Sequence, residues 1–308
     1  MRLRMEKKSF ANANLFGDAN WLAQLAMVLV LTVITAGGVF AQSTRTAGAR
    51  YTPNPDSDFD FNAFNGTIRY YIGNDSRVVI PTQIRGRSVT EIGNSAFENN
   101  TTITEVFIPE GIRSIGNSAF LNSNLRWINM NEAKGTITSI GTRAFEGTKL
   151  QEMISNWPTA IKKIPNNAFY RTNLNKALVI PDEITEIGDF AFASTQIISV
   201  TLPRTVTGIG ANAFMDCNQL TSVSIPDVPD GLTVIGNAAF AGNQHLKSIA
   251  LPRSINRIGN SAFFGCISLT TVTIPSSVTR ITFGTDAFFG TTLDSASKKA
   301  LTDRGARF

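Results

Sequence analysis

Histidine, cysteine and carboxylate side chains are the ones that could carry out catalysis or bind a metal in this sequence of 308 residues. The sole histidine is His245, and the two cysteines are Cys217 and Cys266. Metal sites need several such ligands at short, defined spacings, and a catalytic nucleophile needs a base within hydrogen-bonding distance. Because these three residues are far apart and no further ligand or base accompanies them, the sequence predicts no metal site and no nucleophile.

Two glutamates, Glu105 and Glu152, are expected to point outward from short strands and could form a general acid–base pair. The acidic residues are otherwise scattered, so solvated surface carboxylates are the preferred interpretation. The glycines follow isoleucines at a regular spacing and do not cluster in a phosphate-binding loop. We therefore predict a non-enzymatic protein without a catalytic residue or a cofactor.

A sequence repeat is the feature that determines where each side chain lies in the fold. The phrase Ile-Gly-x-x-Ala-Phe recurs with its phenylalanines about 22 to 26 residues apart, a period typical of leucine-rich repeats. A small polar residue or a cysteine stands three residues after each phenylalanine, where it can satisfy backbone groups. The phenylalanines of the successive copies are Phe97, Phe120, Phe145, Phe169, Phe192, Phe214, Phe240, Phe263 and Phe288.

A second phrase follows each phenylalanine, and Leu220-x-x-Val223-x-Ile225-Pro226 is typical of it. Apolar residues two apart indicate a strand, and proline ends the strand because it cannot donate to a ladder. One such unit has no core of its own, but stacked copies bury their apolar residues in continuous columns. The sequence therefore predicts a leucine-rich-repeat solenoid with a parallel β-sheet on the concave face. Short turns, irregular segments or 3-10 segments are expected on the convex face.

The two phrases together closely resemble the BspA-like leucine-rich-repeat family, also called the treponemal-type repeat. The resemblance covers about Val78 to Leu293, and it is weakest in the third and fourth copies, where Met130-Asn131 replaces Ile-Pro. It implies a bacterial secreted or surface protein from a family that includes adhesins for host matrix proteins or other cells. The implied partners are extracellular matrix or cell-surface proteins.

Five segments are predicted along the chain. In residues 1–41, basic residues precede the apolar run Trp21–Ile34 and the small-residue ending at Ala41, which is typical of a cleaved export signal. The alternative is an uncleaved membrane anchor; after cleavage no membrane span is expected. Residues 42–58 are predicted to be a flexible leader, 59–77 an N-terminal β-hairpin cap, 78–293 the repeat domain, and 294–308 a C-terminal tail that caps the stack or frays.

The net charge is too small to indicate nucleic-acid binding. It is +5 for the whole chain, and the signal segment contributes +2 of it, leaving +3 without a cluster of basic residues. Nucleic acid is therefore not an expected partner. A metal is not expected either, because the possible ligands are too far apart in the sequence.

Outward-pointing strand residues on the concave face are the candidate ligand contacts. We predict a patch of large apolar residues beside charges, a composition typical of protein-binding hot spots. Alternatively, Trp127 and Ile154 turn inward in the irregular copies, or the patch contacts a second copy of the chain. Later copies present serine and threonine, which a preference for strands explains without a ligand. The predicted patch contains Phe107, Trp127, Ile154, Leu178, Glu105 and Arg126.

These features favour a secreted or surface-exposed binding protein that acts as an adhesin through its concave face. The alternative is a periplasmic or envelope scaffold that acts by self-association. Both hypotheses leave the oligomeric state open.

The repeat register predicts that Cys217 and Cys266 are free thiols. They occupy equivalent positions two coils apart, or about 10 Å at about 4.8 Å per coil, which exceeds the roughly 7 Å limit for a disulfide. A thiol reagent should therefore label both residues in denatured, unreduced protein, as counted by intact mass. A pair protected until a reductant is added would contradict this register.

Overall fold

The structure is a computed structural model, and it describes residues 52–154 and 157–308. The predicted signal segment and residues 42–51 of the predicted leader lie outside the described residues. Among the described residues, no helix combines the length and the apolar character needed to cross a membrane.

The second phrase forms a three-residue strand in most coils, whereas residues 150–154, after Phe145, form none. The strands are β3 (Arg77–Val79), β7 (Glu105–Phe107), β9 (Trp127–Asn129), β12 (Ala177–Val179), β14 (Ser199–Thr201), β16 (Ser222–Ser224), β18 (Ser248–Ala250) and β20 (Thr271–Thr273). They form the parallel ladders β3-β7-β9, β12-β14-β16 and β18-β20. Their register places the central residues Val78, Val106 and Ile128 opposite one another from coil to coil.

A second set of parallel strands, which the sequence did not predict, forms at the isoleucine of the Ile-Gly pairs. It is divided into two ladders, one ending at Ile140 and the other beginning at Lys163. The glycine allows neighbouring coils to approach, because a Cβ on Gly116 would lie 2.5 Å from the Asn94 nitrogen. The strands are β6 (Glu91–Ile92), β8 (Ser114–Ile115), β10 (Ser139–Ile140), β11 (Lys163–Ile164), β13 (Glu186–Ile187), β15 (Gly208–Ile209), β17 (Val234–Ile235), β19 (Arg257–Ile258) and β21 (Thr282–Phe283).

Two antiparallel hairpins lie at the N-terminal end of the coils. Strands β1 (Phe59–Asn62) and β2 (Thr67–Tyr71) form the first hairpin. Strand β2 also pairs in parallel with β6 and so extends the ladder of β6, β8 and β10. The turn of this hairpin contains Gly66 in the left-handed region, as the Asn-Gly pair indicated. Strands β4 (Gln83–Ile84) and β5 (Arg87–Ser88) form the second hairpin.

Backbone hydrogen bonds alternate through each Ala-Phe turn. The N–H of Phe97 donates to the Ala119 carbonyl of the next coil at 2.7 Å, whereas the N–H of Glu98 donates to Ser95 of its own coil. This alternation requires a left-handed residue two positions before and two positions after each phenylalanine, such as Ser95 and Asn99. Asparagine and glycine recur at the later position because they tolerate a positive φ, whereas arginine, serine and aspartate occur there once each.

Phenylalanine rings form one continuous column through the core. Within the described residues, the nine repeat phenylalanines stack with centroid distances between 4.9 and 5.6 Å. Tyr71 and Phe59 extend the column into the first hairpin, because Tyr71 stacks on Phe97 at 5.4 Å and contacts Phe59. Each aromatic pair contributes about 0.5 to 1.5 kcal/mol beyond the area that it buries.

In most coils the position three residues after the phenylalanine hydrogen-bonds buried carbonyls, as predicted, whereas the Ser123 hydroxyl has no partner among the described residues. The Thr195 hydroxyl donates to the Phe192 carbonyl at 2.8 Å, and Asn243 Nδ2 donates to Phe240 at 2.7 Å and to Phe214 at 2.9 Å. Thr148 and Thr172 repeat the threonine arrangement.

The cysteines take the same position. The Cys217 and Cys266 thiols are buried and free, and each lies within 3.2 Å of a phenylalanine carbonyl of the preceding coil. The sequence prediction of two free buried thiols is therefore confirmed.

The predicted tail contains a helix, α1 (Ser295–Thr302). Asp294 caps it by accepting a hydrogen bond from the Ser297 N–H, and Leu301 is fully buried. The Ser297 hydroxyl accepts from the Val272 N–H, and the Arg304 guanidinium donates to the Val278 carbonyl. The helix and the residue Arg304 after it therefore supply hydrogen-bond partners to backbone groups at the C-terminal end of the stack.

Residues 52–58, the described part of the predicted flexible leader, make hydrogen bonds to the backbone of β3 and include a short 3-10 helix. The N–H of Asn54 donates to the Val79 carbonyl at 2.9 Å, and Asn54 Oδ1 accepts from the Val79 N–H at 2.8 Å. A short 3-10 helix, Asp56–Asp58, follows. Asn54 is buried because its backbone N–H and its side-chain oxygen both hydrogen-bond β3 at the edge of the ladder.

The polar column generates a stability prediction at Asn243. Replacing it with alanine removes hydrogen bonds to two buried carbonyls and should lower the free energy of unfolding by about 2 kcal/mol in urea titrations. Asn243→Thr is the matched control, because threonine bonds one carbonyl at this position in other coils and should recover about half of the loss. Equal stability of wild type and Asn243→Ala would contradict a stabilising role for this column.

Candidate binding surface

The outward side chains of the three-residue strands form the surface that we call the strand face. In each strand the central residue is buried, as Val200 is in Ser199–Thr201, and the two flanking residues point away from the core. The parallel register aligns these flanking residues from coil to coil.

Four side chains meet at the N-terminal part of the strand face, and we call them the Arg77 cluster. The Phe107 and Trp127 rings contact edge to face, with their centroids 5.0 Å apart. The Arg77 guanidinium lies over the Phe107 ring, 4.7 Å from its centroid, and its Nε is 3.6 Å from a Glu105 carboxylate oxygen. The cluster therefore joins an aromatic pair to a cation–π contact and an ion pair.

The structure brings together three of the predicted contact residues, Glu105, Phe107 and Trp127, and leaves Arg126 exposed beside Trp127. The prediction that Phe107 is an accessible contact is wrong, because its ring is only 6% exposed. Trp127 and Arg77 cover it. Trp127 is partly exposed, so it and Arg126 are the predicted residues that a ligand could touch.

The predictions that Ile154 and Leu178 point outward are also wrong. Both are core residues, 6% and 2% exposed respectively. The copies that follow Phe145 and Phe169 contain one additional residue before the strand position, so Leu178 takes the central position and pairs with Val200. A shift of one residue moves each side chain to the opposite face of a strand.

The same shift reveals residues that the sequence reasoning missed. Val179, next to Leu178, is the outward residue and is 63% exposed. The interval between Leu174 and the proline Pro181 is one residue longer than in regular copies, and this signal could have corrected the register. Arg77 was missed because it lies before the first complete copy of the repeat.

Hydroxyl groups line the strand face of the later coils. The outward residues there are Ser199, Thr201, Ser222, Ser224, Ser248, Thr271 and Thr273. Their strand preference accounts for them without a ligand.

Catalytic geometry is lacking among the described residues. They hold no group of three His, Cys, Asp or Glu side chains that could bind a metal ion. Burial raises the pKa of the Cys217 thiol to about 11 and that of Cys266 to about 12, so neither is a thiolate near neutral pH. The exposed His245 has its Nδ1 2.6 Å from a loop carbonyl, that of Asn218.

The stacked coils define a leucine-rich-repeat solenoid, a fold that typically serves as a non-enzymatic scaffold for protein binding. The family model for the BspA type leucine rich repeat region, with six copies, matches residues 90–221 and 162–294. The chain belongs to this family, as the sequence resemblance indicated. Comparison with curated proteins gives no match.

Solved structures of bacterial leucine-rich-repeat proteins are similar. A protein from Bacteroides ovatus ATCC 8483 is 28% identical with a TM-score of 0.53, over 74% of this chain and 52% of that protein. This chain therefore spans about half the length of that relative. The T. pallidum leucine rich repeat protein is 22% identical with a TM-score of 0.41, over 83% of this chain and 97% of that one. A leucine rich cell surface protein from Faecalibacterium prausnitzii A2-165 is 20% identical with a TM-score of 0.36, over 85% and 100%.

The burial of Phe107 generates a prediction that separates structural from contact residues. Phe107→Ala should lower the free energy of unfolding by about 2 kcal/mol, because it removes the ring against which Trp127 and Arg77 pack. Arg126→Ala, on the same surface but exposed, should change it by less than about 0.5 kcal/mol. Chemical denaturation of both variants measures the difference, and equal values would show that the cluster adds nothing to stability.

Proposed function

We propose that the protein is a secreted or surface-exposed adhesin that binds host or neighbouring-cell proteins through the Arg77 cluster. The observation that carries the proposal is the packing of Trp127 on the buried Phe107 ring beside Arg77 and Glu105. Such an arrangement holds a partly exposed indole in one orientation, so little side-chain entropy is lost on binding.

The chemistry of this surface suits a protein ligand. Tryptophan and arginine are the residues most enriched in binding hot spots, and here Trp127 stands next to the exposed Arg126. Val179 adds an exposed apolar side chain to the same strand face. The predicted export signal in residues 1–41 supports a location outside the cytoplasm, and the family resemblance supports the adhesin class.

Binding by the full chain to purified extracellular-matrix proteins immobilised on a biosensor tests the proposal. Trp127→Ala together with Arg126→Ala should weaken binding by about thirtyfold, equivalent to about 2 kcal/mol, because these residues are the accessible part of the cluster. Ser222→Ala is the matched control on the strand face of the later coils and should leave binding unchanged. Equal binding by both variants would remove the Arg77 cluster from the ligand site.

The alternative function, an envelope scaffold acting by self-association, is distinguished by location. Protease added to intact cells should digest a surface adhesin, whereas a periplasmic scaffold stays intact until the outer envelope is opened. Protection from protease would contradict the adhesin proposal.

A further inference from the structure

The last coil has an edge whose backbone N–H groups lack hydrogen-bond partners among residues 52–154 and 157–308. In the preceding coil, the N–H groups of Ser261, Phe263 and Gly265 donate to carbonyls of the last coil at 2.8 to 2.9 Å. The equivalent residues of the last coil are Asp286, Phe288 and Gly290, and their N–H groups have no partner among the described residues. We call these three residues the donor edge.

The donor edge keeps the backbone conformation of a paired coil. Asp286 and Gly290 have φ angles of 55° and 76°, like the corresponding residues of every earlier coil. The three N–H groups therefore point in the direction in which a following coil would lie. Helix α1 satisfies a strand group on β20, and Phe308 of the tail contacts the buried Phe288 ring with the centroids 6.4 Å apart. Asp286 and Gly290, at the two ends of the donor edge, remain exposed.

Apolar and basic side chains surround the donor edge. Phe289 is 63% exposed and stacks on Phe264, itself 44% exposed, at 5.6 Å, and Phe308 is 62% exposed. A cleft of about 550 Å³ separates the last coil from the C-terminal tail and is lined by Arg280 and Arg307, among others. The edge thus combines backbone donors, exposed aromatic rings and positive charge.

We propose that the donor edge binds an extended segment of another protein, which adds to the coil as a further strand. Strand addition of this kind takes its affinity from main-chain hydrogen bonds and its specificity from alternate side chains. The segment that fits has carbonyls at alternate residues for Asp286, Phe288 and Gly290. It also carries an aromatic residue against Phe308 or Phe289 and acidic residues near Arg280 and Arg307.

A second copy of this chain fits the donor edge less well. The acceptors that a head-to-tail copy would offer are the carbonyls of its first Ala-Phe turn. The Ala96 carbonyl already accepts from the Tyr71 N–H at 2.9 Å, and the Tyr71 ring covers Phe97. The N-terminal hairpin therefore closes the end that would have to meet the donor edge.

A peptide with the sequence of residues 186–194, Glu-Ile-Gly-Asp-Phe-Ala-Phe-Ala-Ser, is a suitable probe, because this phrase pairs with the preceding coil inside the stack. Its addition to the full-length chain should slow hydrogen exchange at Asp286, Phe288 and Gly290 by about tenfold or more. Phe289→Ser should weaken peptide binding by about tenfold, as measured by fluorescence anisotropy. Phe64→Ser, at a fully exposed phenylalanine of the N-terminal hairpin, is the matched control and should have no effect.

Two outcomes would overturn the inference. One is unchanged exchange at the donor edge with saturating peptide, or equal protection by a peptide of the same composition in scrambled order. The other is protection without peptide that rises with protein concentration, which would identify a second copy as the occupant. Binding of matrix proteins by the Phe289→Ser variant keeps this test separate from that of the Arg77 cluster.

Discussion

Stacking between coils is the interaction on which the rest of the structure depends. A single coil of about 22 to 26 residues has no hydrophobic core of its own. Alternate N–H groups of its Ala-Phe turn point along the solenoid axis toward the next coil. Each added coil satisfies the backbone of the one before it and extends the phenylalanine column. Stability therefore comes from nearest-neighbour contacts, and each end of the stack needs a different element to terminate it.

The two ends are terminated differently. At the N-terminal end, a hairpin places Tyr71 over Phe97 and supplies a backbone donor to Ala96. At the C-terminal end, α1 packs on the last coil through Ser297 and Leu301, whereas the N–H groups of the donor edge have no partner in the part of the chain that the structure describes. Inside the stack, the N–H groups of each Ala-Phe turn bind the next coil. In the last coil the same groups form a potential binding edge.

The same regularity separates structural positions from positions that are available for recognition. Columns facing inward carry phenylalanine, isoleucine and small polar residues whose identity the neighbouring coils dictate. Outward flanks of the three-residue strands are free to vary, and they change from the Arg77 cluster to serine and threonine along one face. Phe107 shows that an outward position can also become structural, because two neighbours close over its ring.

The sequence by itself determined the solenoid, its family, the phenylalanine column and the two free buried thiols. These features follow from the regular spacing of the repeated residues, which can be recognised in a single sequence. The register of the irregular copies left a signal in the sequence, the longer interval between Leu174 and Pro181, but the structure was needed to show that the extra residue places Ile154 and Leu178 in the core. Only the tertiary structure showed that Arg77 packs with Phe107 and Trp127, and that the donor edge has no partner among the described residues. These two features depend on which coils are neighbours, and the spacing of residues within one coil does not specify that.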